Sequence, residues 1–242
     1  MSLSMIDRPS PNFDSRGEAP TDILLLHYTG MTSAEAALAR LTDPQAKVSA
    51  HYTVDEDGTI YAHVAEAARA WHAGVSSWAG ATDINARSIG IEIVNPGHEF
   101  GYRDFPATQI AAVIALAKNI LERHPIRPQR VLGHSDVAPA RKQDPGERFP
   151  WATLARAGIG LWPEGARRPH RPVLKEGAQG AAVAALQKKL AAFGYDAPQT
   201  GLYDGATALV VAAFQRHFRP QAVTGMSDGE TVGRLTKLLA LL

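Results

Sequence analysis

The nine histidines of this chain are the side chains best suited to metal binding or proton transfer. The chain has no cysteine, which excludes thiolate metal sites, thiol nucleophiles and a disulfide scaffold. A catalytic metal site of the zinc type uses about three protein ligands, often histidines with a carboxylate, and leaves one position open to water. His27, His134 and Asp144 could form such a set, but nine histidines and 24 acidic residues allow many others. Spacing alone leaves the ligands open.

The elements predicted around these three residues would bring them to one edge of a sheet. Residues 22–28 form a short apolar run that is typical of a buried strand, and His27 stands near its end. His134 follows a short predicted strand at 130–133, and Asp144 lies ten residues further along in a loop. Strand ends and the loops after them are where α/β sheets usually build their sites.

Glu92 and Lys142 are charged residues that, taken singly, resemble surface charge. In the predicted strand at 88–94, isoleucines alternate with Gly90 and Glu92, which places Glu92 on the opposite face. A strand glutamate is most often solvated or salt-bridged, because a buried carboxylate is costly unless it has a partner or a task. A lysine in the basic pair at 141–142 is normally exposed.

Helix and strand signals alternate through the first part of the chain. Helices are predicted at 33–41, with Ser33 as N-cap, and at 106–124. A hairpin is predicted for 51–54 and 59–63 around an Asp-Gly turn. With the other strands this gives about five strands mixed with helices, so we expect an α/β fold with a mixed central β-sheet flanked by helices.

Composition predicts how the 242 residues divide. Glycine and proline recur through 158–172 without apolar periodicity, which is typical of a linker. We therefore predict an N-terminal extension at 1–19, an α/β domain at 20–157, a linker at 158–172 and a second domain at 173–242. Hydrophobic residues make up 45% and charged residues 20%, which excludes a mainly disordered chain.

The second domain is predicted to be a small all-α bundle. Apolar residues recur at helical spacing in three segments, which predicts three short helices. Asp204 is a candidate N-cap for the second helix, and Ser227 with Glu230 for a capping box at the third. Gln187 and Gln215 occupy similar places in two helices, which suggests an internal duplication. No cluster of acids, histidines or nucleophiles stands out, so we expect binding rather than chemistry here.

Charge and hydropathy exclude two classes of partner and leave the compartment open. The formal charge of +1 gives no basis for nucleic acid binding. Apolar runs fall far short of the roughly 20 residues of a membrane helix. Residues 1–17 lack a signal peptide, but Met5 hints that residues 1–4 are an expression remnant, in which case a natural leader could have been trimmed. The expected location is the bacterial envelope (periplasm) if so, and the cytoplasm otherwise.

Four sequence blocks around the candidate ligands resemble a known family. The blocks are Leu25–Gly30, Ser88–Asn95, Gly133–Pro139 and Arg141–Gly146. In this order they resemble the zinc-dependent N-acetylmuramoyl-L-alanine amidases of type 2, which share the fold of peptidoglycan recognition proteins. The similarity runs from about residue 20 to 154. From Val173 onward the chain resembles the small three-helix peptidoglycan-binding domain.

The resemblance implies a role for each candidate residue. It makes His27, His134 and Asp144 the ligands of one zinc ion, Glu92 the catalytic carboxylate and Lys142 a cation beside the scissile carbonyl. It also implies hydrolysis of the amide bond between N-acetylmuramic acid and L-alanine, with peptidoglycan or muropeptides as the partner. Zinc lowers the pKa of a bound water from ~15.7 to about 7, which makes hydroxide available near neutral pH.

Four further residues fall inside family-like blocks. His51 and His72 are candidates for supporting the ligands or for contacting sugar and peptide, with packing as an equally good interpretation. Trp71 could offer a flat face to a sugar, and Asn95 is a further candidate for substrate contact.

Two alternatives to the amidase remain at this point. A non-catalytic peptidoglycan receptor could share the fold, but it would be expected to lack a ligand, whereas Asp144, Glu92 and Lys142 are all present. A zinc peptidase that cuts within the stem peptide would use similar ligands and also pairs with wall-binding tails.

Overall fold

A six-stranded mixed β-sheet organises the structure, a computed structural model that describes residues 3–166 and 172–242. Its strands are β1 (Ile6–Asp7), β3 (Ile23–Tyr28), β4 (Tyr52–Val54), β5 (Ile60–Ala62), β7 (Ser88–Ile93) and β8 (Val131–Gly133). The order across the sheet is β1-β5-β4-β7-β3-β8, with β4 and β5 antiparallel and the other neighbours parallel. Two further strands, β2 (Phe13–Ser15) and β6 (Ala68–Ala70), form a separate antiparallel ribbon. The five predicted strands are all present.

Helices flank the sheet and make up the C-terminal part, which confirms the predicted fold class. In the first part they are α1 (Ala34–Thr42), α2 (Ile84–Arg87), α3 (Gly97–Phe100), α4 (Ala107–Arg123), α5 (His134–Val137) and α6 (Trp151–Arg156). The C-terminal part has α7 (Ala181–Phe193), α8 (Gly205–Phe218) and α9 (Gly229–Leu239). Ser33 caps α1 as predicted, because its hydroxyl accepts a hydrogen bond from the Ala36 N–H at 3.1 Å. No helix in the described ranges has the length and apolar character needed to cross a bilayer.

Alternate residues of β3 point to two different hydrophobic cores. Leu24 and Leu26 join the core that α4 covers, whereas Ile23 and Leu25 belong to the core that continues into the C-terminal bundle. This is the two-residue period of a strand that is buried on both faces. One face of the sheet therefore shares its hydrophobic core with the C-terminal helices, and the other face shares a separate core with α4.

Gln187 and Gln215 make equivalent hydrogen bonds in successive parts of the bundle. Each side chain accepts from a glycine N–H, donates to the carbonyl of the following residue and donates to a threonine hydroxyl. The partners are Gly201, Leu202 and Thr207 for Gln187, and Gly225, Met226 and Thr231 for Gln215. The shared pattern supports the internal duplication suggested by the sequence.

The N-cap predicted for α8 is confirmed, whereas the capping box predicted for α9 is not. Asp204 caps α8 by accepting from the Thr207 N–H at 2.8 Å, as predicted. The predicted capping box of Ser227 with Glu230 is wrong, because Asp228 is the N-cap of α9. The backbone of Ser227 is engaged instead in a bridge with Leu174, so the helix starts one residue later.

The segments at both predicted boundaries contact the folded parts. In the N-terminal segment, β1 extends the sheet, and the buried Arg16 donates to the carbonyls of Ala86 and Ser88. In the predicted linker, Ile159 is buried and Trp162 packs against both cores. Residues 167–171 of that linker lie outside the described residues.

Candidate metal centre

Three different segments carry the candidate ligands to one edge of the sheet. His27 is near the C-terminal end of β3, which lies between β7 and β8. His134 is the first residue of α5 and directly follows β8. Asp144 lies in the loop after α5, and its carbonyl accepts a hydrogen bond from the Ser135 N–H at 2.9 Å, which holds the loop against the start of α5.

The donor atoms of these three buried residues converge on one point. His27 Nδ1 is 2.9 Å from His134 Nδ1, and Asp144 Oδ2 lies 3.1 Å from His27 Nδ1 and 3.0 Å from His134 Nδ1. Tetrahedral ligands 2.0–2.1 Å from a zinc ion are separated by roughly 3.3 Å. His27, His134 and Asp144 therefore fit as ligands of one small cation, leaving a fourth position for water.

The outer nitrogens of both ligand histidines are paired, which orients their inner nitrogens. His134 Nε2 lies 3.0 Å from the carbonyl oxygen of Ala73, and only a protonated nitrogen can donate there. His27 Nε2 lies 3.0 Å from His72 Nδ1, so the tautomer that frees His27 Nδ1 for a metal donates to His72. Such outer hydrogen bonds fix the tautomer and ring orientation of metal-binding histidines.

Gly90 of β7 makes the position of His72 possible. A Cβ atom on residue 90 would lie 2.6 Å from the His72 ring, which is closer than van der Waals contact allows. The glycine in the middle of a buried strand therefore provides the space behind His27 that the second imidazole fills.

Burial and mutual charge set the protonation states of the site. Burial, with the neighbouring His134, lowers the pKa of His27 to about 4, and burial lowers the pKa of His72 well below its ordinary value. Burial alone would raise the pKa of Asp144, but His134 and His27 outweigh it and lower that pKa. A neutral His27 imidazole facing an ionised carboxylate is a donor set that suits a divalent cation.

Glu92 lies beside this donor set without a hydrogen-bond partner at one oxygen. It pairs in register with His27 across β3 and β7, and its Oε2 atom is buried without a partner within the described residues. Burial and then the charge of Asp144 raise the pKa of Glu92 well above its ordinary value, while Lys142 opposes them. A half-buried carboxyl with one unpartnered buried oxygen and a raised pKa is typical of a group kept for proton transfer.

Lys142 and Glu92 line one cavity together with two of the three candidate ligands, while His27 lies behind its described lining. The cavity has a volume of about 450 Å³, and its lining includes His134 and Asp144. Lys142 is half-buried and follows Arg141, whose guanidinium donates to the carbonyl of Ala73 at 2.8 Å. Because Ala73 also accepts from His134, Arg141 is bound to the loop that orients this ligand, a role that its basic sequence context did not suggest.

The four candidates for substrate contact lie in different environments. His72 lines the cavity, whereas His51, Trp71 and Asn95 are absent from its lining in the described part of the chain. His51 is buried and accepts from the Gly90 N–H at 2.9 Å. The side chain of Asn95 donates to the Arg103 carbonyl and accepts from the Gly97 N–H, so it shapes a loop. Substrate contact by these residues stays a prediction.

The rim of the cavity holds a group that the sequence did not reveal. Tyr28 and His98 both line the cavity, and the Tyr28 hydroxyl lies 3.0 Å from His98 Nδ1. His98 Nε2 lies 3.2 Å from a carboxylate oxygen of Glu147. Because Tyr28 directly follows the candidate ligand His27, the sequence could have indicated that Tyr28 lies near the site. His98 and Glu147 are 49 residues apart, so no local pattern indicates that they pair.

Two histidines and an aspartate converge beside the mixed sheet, next to a glutamate with one unpartnered oxygen among the described residues, and this is the kind of site that metal-dependent hydrolases use. Residues 17–147 match the family model of N-acetylmuramoyl-L-alanine amidase, and residues 179–235 match that of a peptidoglycan binding domain. The chain belongs to the N-acetylmuramoyl-L-alanine amidase family, which confirms the resemblance seen in the sequence.

Curated and solved relatives agree with this assignment. N-acetylmuramoyl-L-alanine amidase AmiD of Escherichia coli K12 is 38% identical over an alignment of 252 residues. The alignment covers 94% of this chain and 87% of AmiD. Its structure in complex with the substrate anhydro-N-acetylmuramic acid-L-Ala-D-γ-Glu-L-Lys matches with a TM-score of 0.80, covering 94% of this chain and 92% of that chain. The structure of AmpDh3 of Pseudomonas aeruginosa in complex with anhydromuramic pentapeptide matches with a TM-score of 0.72 at 35% identity. The match covers 94% of this chain and 92% of the AmpDh3 chain.

Proposed function

We propose that this N-acetylmuramoyl-L-alanine amidase acts through one zinc ion held by His27, His134 and Asp144. The enzyme cleaves the amide bond between the lactyl group of N-acetylmuramic acid and the L-alanine of the stem peptide. The observation that carries the proposal is the convergence of two histidine nitrogens and one carboxylate oxygen, 2.9–3.1 Å apart, at a cavity that His134 and Asp144 line together with Glu92 and Lys142. Zinc bound there would supply Lewis acidity, which lowers the pKa of a water and polarises the scissile carbonyl.

Glu92 is the group that moves the proton. Its raised pKa makes it basic enough to accept a proton from the attacking water, and the same carboxylic acid can then protonate the departing peptide nitrogen. The amide bond thereby breaks to a lactyl carboxylate and the free amine of L-alanine. Burial of Glu92 Oε2 without a partner keeps this oxygen available for the exchange.

Lys142 stabilises the negative charge that develops on the carbonyl oxygen during attack. Its side chain lines the cavity wall, and a cation in a partly desolvated site acts more strongly than one in water. The same charge lowers the pKa of Glu92, so Lys142 also favours the ionised form of the base.

Replacement of Lys142 with methionine should therefore have two effects. We expect Lys142→Met to lower kcat by about 10²–10³-fold, the usual effect of removing a group that stabilises an oxyanion. We also expect the acidic limb of the kcat/KM profile to move to higher pH, because loss of the cation raises the pKa of Glu92 and protonates the base earlier on acidification. Steady-state kinetics from pH 5 to 9 measure both effects.

The same substitution at an exposed lysine of α4, Lys118→Met, is the matched control and should leave both quantities unchanged. An unshifted acidic limb in Lys142→Met, together with a rate close to that of the wild type, would contradict this role.

The chemistry of the substrate follows from the cavity and the second domain. Relatives of this chain are solved with anhydromuramyl peptides, which supports muropeptides as ligands of the cavity. The peptidoglycan binding domain at 179–235 supports action on the polymer as well. A domain that holds the polymer raises the local concentration of substrate at the catalytic domain.

Product masses test the proposed reaction. We expect purified protein with zinc to release intact stem peptides with a free L-alanine amine from sacculi and from anhydromuropeptides. Mass spectrometry of the soluble products distinguishes this result from its alternatives. Fragments cut within the stem would indicate a peptidase, and ligand that is retained uncleaved would indicate a receptor.

A further inference from the structure

Asp136 is a buried carboxylate that lies two residues after the candidate ligand His134. Its side chain is 0% exposed, and it belongs to α5, the short helix that begins with His134. Both oxygens have hydrogen-bond partners. A buried carboxylate is stable only when such partners are present, so the residues that supply them also hold α5 in place.

The side chains that bind Asp136 come from the C-terminal bundle. The Tyr195 hydroxyl donates to Oδ1 at 2.6 Å, and His217 Nδ1 lies 2.7 Å from Oδ2. The third partner is the backbone N–H of Gly133, 2.8 Å from Oδ2, in the residue that directly precedes His134. One carboxylate thus connects the bundle to the backbone at the start of α5.

Aromatic packing holds the two bundle side chains rigidly. The His217 ring lies between Trp151 and Phe218, with ring centroids 3.6 and 3.8 Å away. Tyr195 packs edge-on against Trp78 at 4.9 Å. Neither ring can turn away from Asp136 without disrupting these contacts.

The contact also reaches the segment that carries Asp144. A Cβ atom on residue 133 would lie 2.8 Å from Pro145 Cδ and 3.2 Å from Trp151, so β8, the Asp144 loop and Trp151 are packed without spare room. His217 stacks on the same Trp151. The bundle therefore contacts α5 directly and reaches the Asp144 loop only indirectly, through Trp151 and Gly133.

We propose that Tyr195 and His217 are positioning residues for the metal site, which act by fixing Asp136 and through it the backbone that orients His134. The proposal rests on the proposed zinc site. It gives the C-terminal bundle a part in metal binding, in addition to any contact with the cell wall. Among the described residues, the outer nitrogen of His134 has one partner, the Ala73 carbonyl, so the backbone anchor at Gly133 also helps to set where Nδ1 points.

Zinc affinity of the full-length protein tests the proposal. We expect Tyr195→Phe and His217→Leu each to weaken the zinc Kd by roughly tenfold, the low end of the effect of residues that support metal ligands. His217→Asn keeps an N–H donor near the position of Nδ1 and should recover most of the affinity that leucine loses. Competition with a chromophoric chelator measures the Kd, and activity at saturating zinc should return close to the wild-type rate.

Ser77→Ala is the matched control for a hydrogen bond between the two parts that does not involve Asp136. The Ser77 hydroxyl donates to Asp196 at 3.2 Å, and its loss should leave zinc affinity unchanged. The midpoint of thermal unfolding of the metal-free variants separates stability from positioning.

If Tyr195→Phe and His217→Leu lower that midpoint but bind zinc as tightly as the wild type, the contacts only join the two parts and the proposal is wrong. A different result bears on the zinc site itself: wild-type protein that binds no stoichiometric zinc would overturn the proposed function first.

Discussion

Glu92→Gln should lower kcat by about 10²–10⁴-fold, the usual contribution of a general base, while zinc stays bound. Glutamine has nearly the same volume and fits the same position on β7, but it cannot accept the proton of the attacking water. Because Glu92 is not among the three converging donors, its loss leaves the metal ligands intact. Steady-state kinetics on a muropeptide, together with the zinc content of the purified variant, measure both parts of this expectation.

The same substitution should also make the metal-free protein more stable. Burial raises the pKa of Glu92 above its value in the unfolded chain, so above that unfolded pKa the native state must either take up a proton or bury a charge. The neutral amide removes this cost, and we expect a higher midpoint of thermal unfolding at pH 7. Glu122→Gln, at an exposed position of α4, is the control and should change neither rate nor midpoint. Near-normal turnover by Glu92→Gln would exclude Glu92 as the base.

The elements that carry the site could be predicted because their signals are local. The apolar run at 22–28 predicts β3, and His27 stands at its end in the sequence as in the structure. The choice of His27 and His134 among nine histidines required the family resemblance, since nothing in their spacing distinguishes them. Local patterns of apolar residues therefore predict which strands carry the site. The identity of the ligands follows only when several sequence blocks are compared with a family together.

The supports of the site could not be predicted because they join distant segments. His72 lies behind His27 only because Gly90, on another strand, leaves space for it. Asp136 is bound by residues 59 and 81 positions away, and no local pattern indicates such pairs. The strands β1, β2 and β6 have only two or three residues each, too few to show alternation.

The packing of the bundle against the sheet was also missed for a physical reason. The glycine- and proline-rich sequence at 158–172 has no apolar periodicity, and composition does not show which apolar residues of such a segment are buried. Ile159 and Trp162 pack onto the cores on either side, and Ile23 and Leu25 share a core with the bundle. An α/β sheet with two apolar faces needs a cover on each, and here α4 and the bundle supply them.

Removal of the metal should abolish activity and lower stability, and both should return with zinc. A cation held by His27, His134 and Asp144 would offset the cost of burying these polar groups together. The pKa of water returns to ~15.7 from about 7, so hydroxide at the scissile bond becomes scarce at neutral pH and turnover should fall below detection. Because the proposed zinc ion would bind the folded chain and not the unfolded one, the thermal midpoint should drop on chelation.

Asp144→Ala should reproduce the metal-free protein and no longer respond to added zinc. This variant removes the one anionic ligand, so the remaining pair of imidazoles cannot hold the ion at micromolar concentration. Turnover with excess zinc and the zinc-induced change in thermal midpoint are the measurements, with the exposed Asp104→Ala as control. If Asp144→Ala kept wild-type turnover, or gained as much stability from zinc as the wild type, the ion would bind elsewhere in the chain.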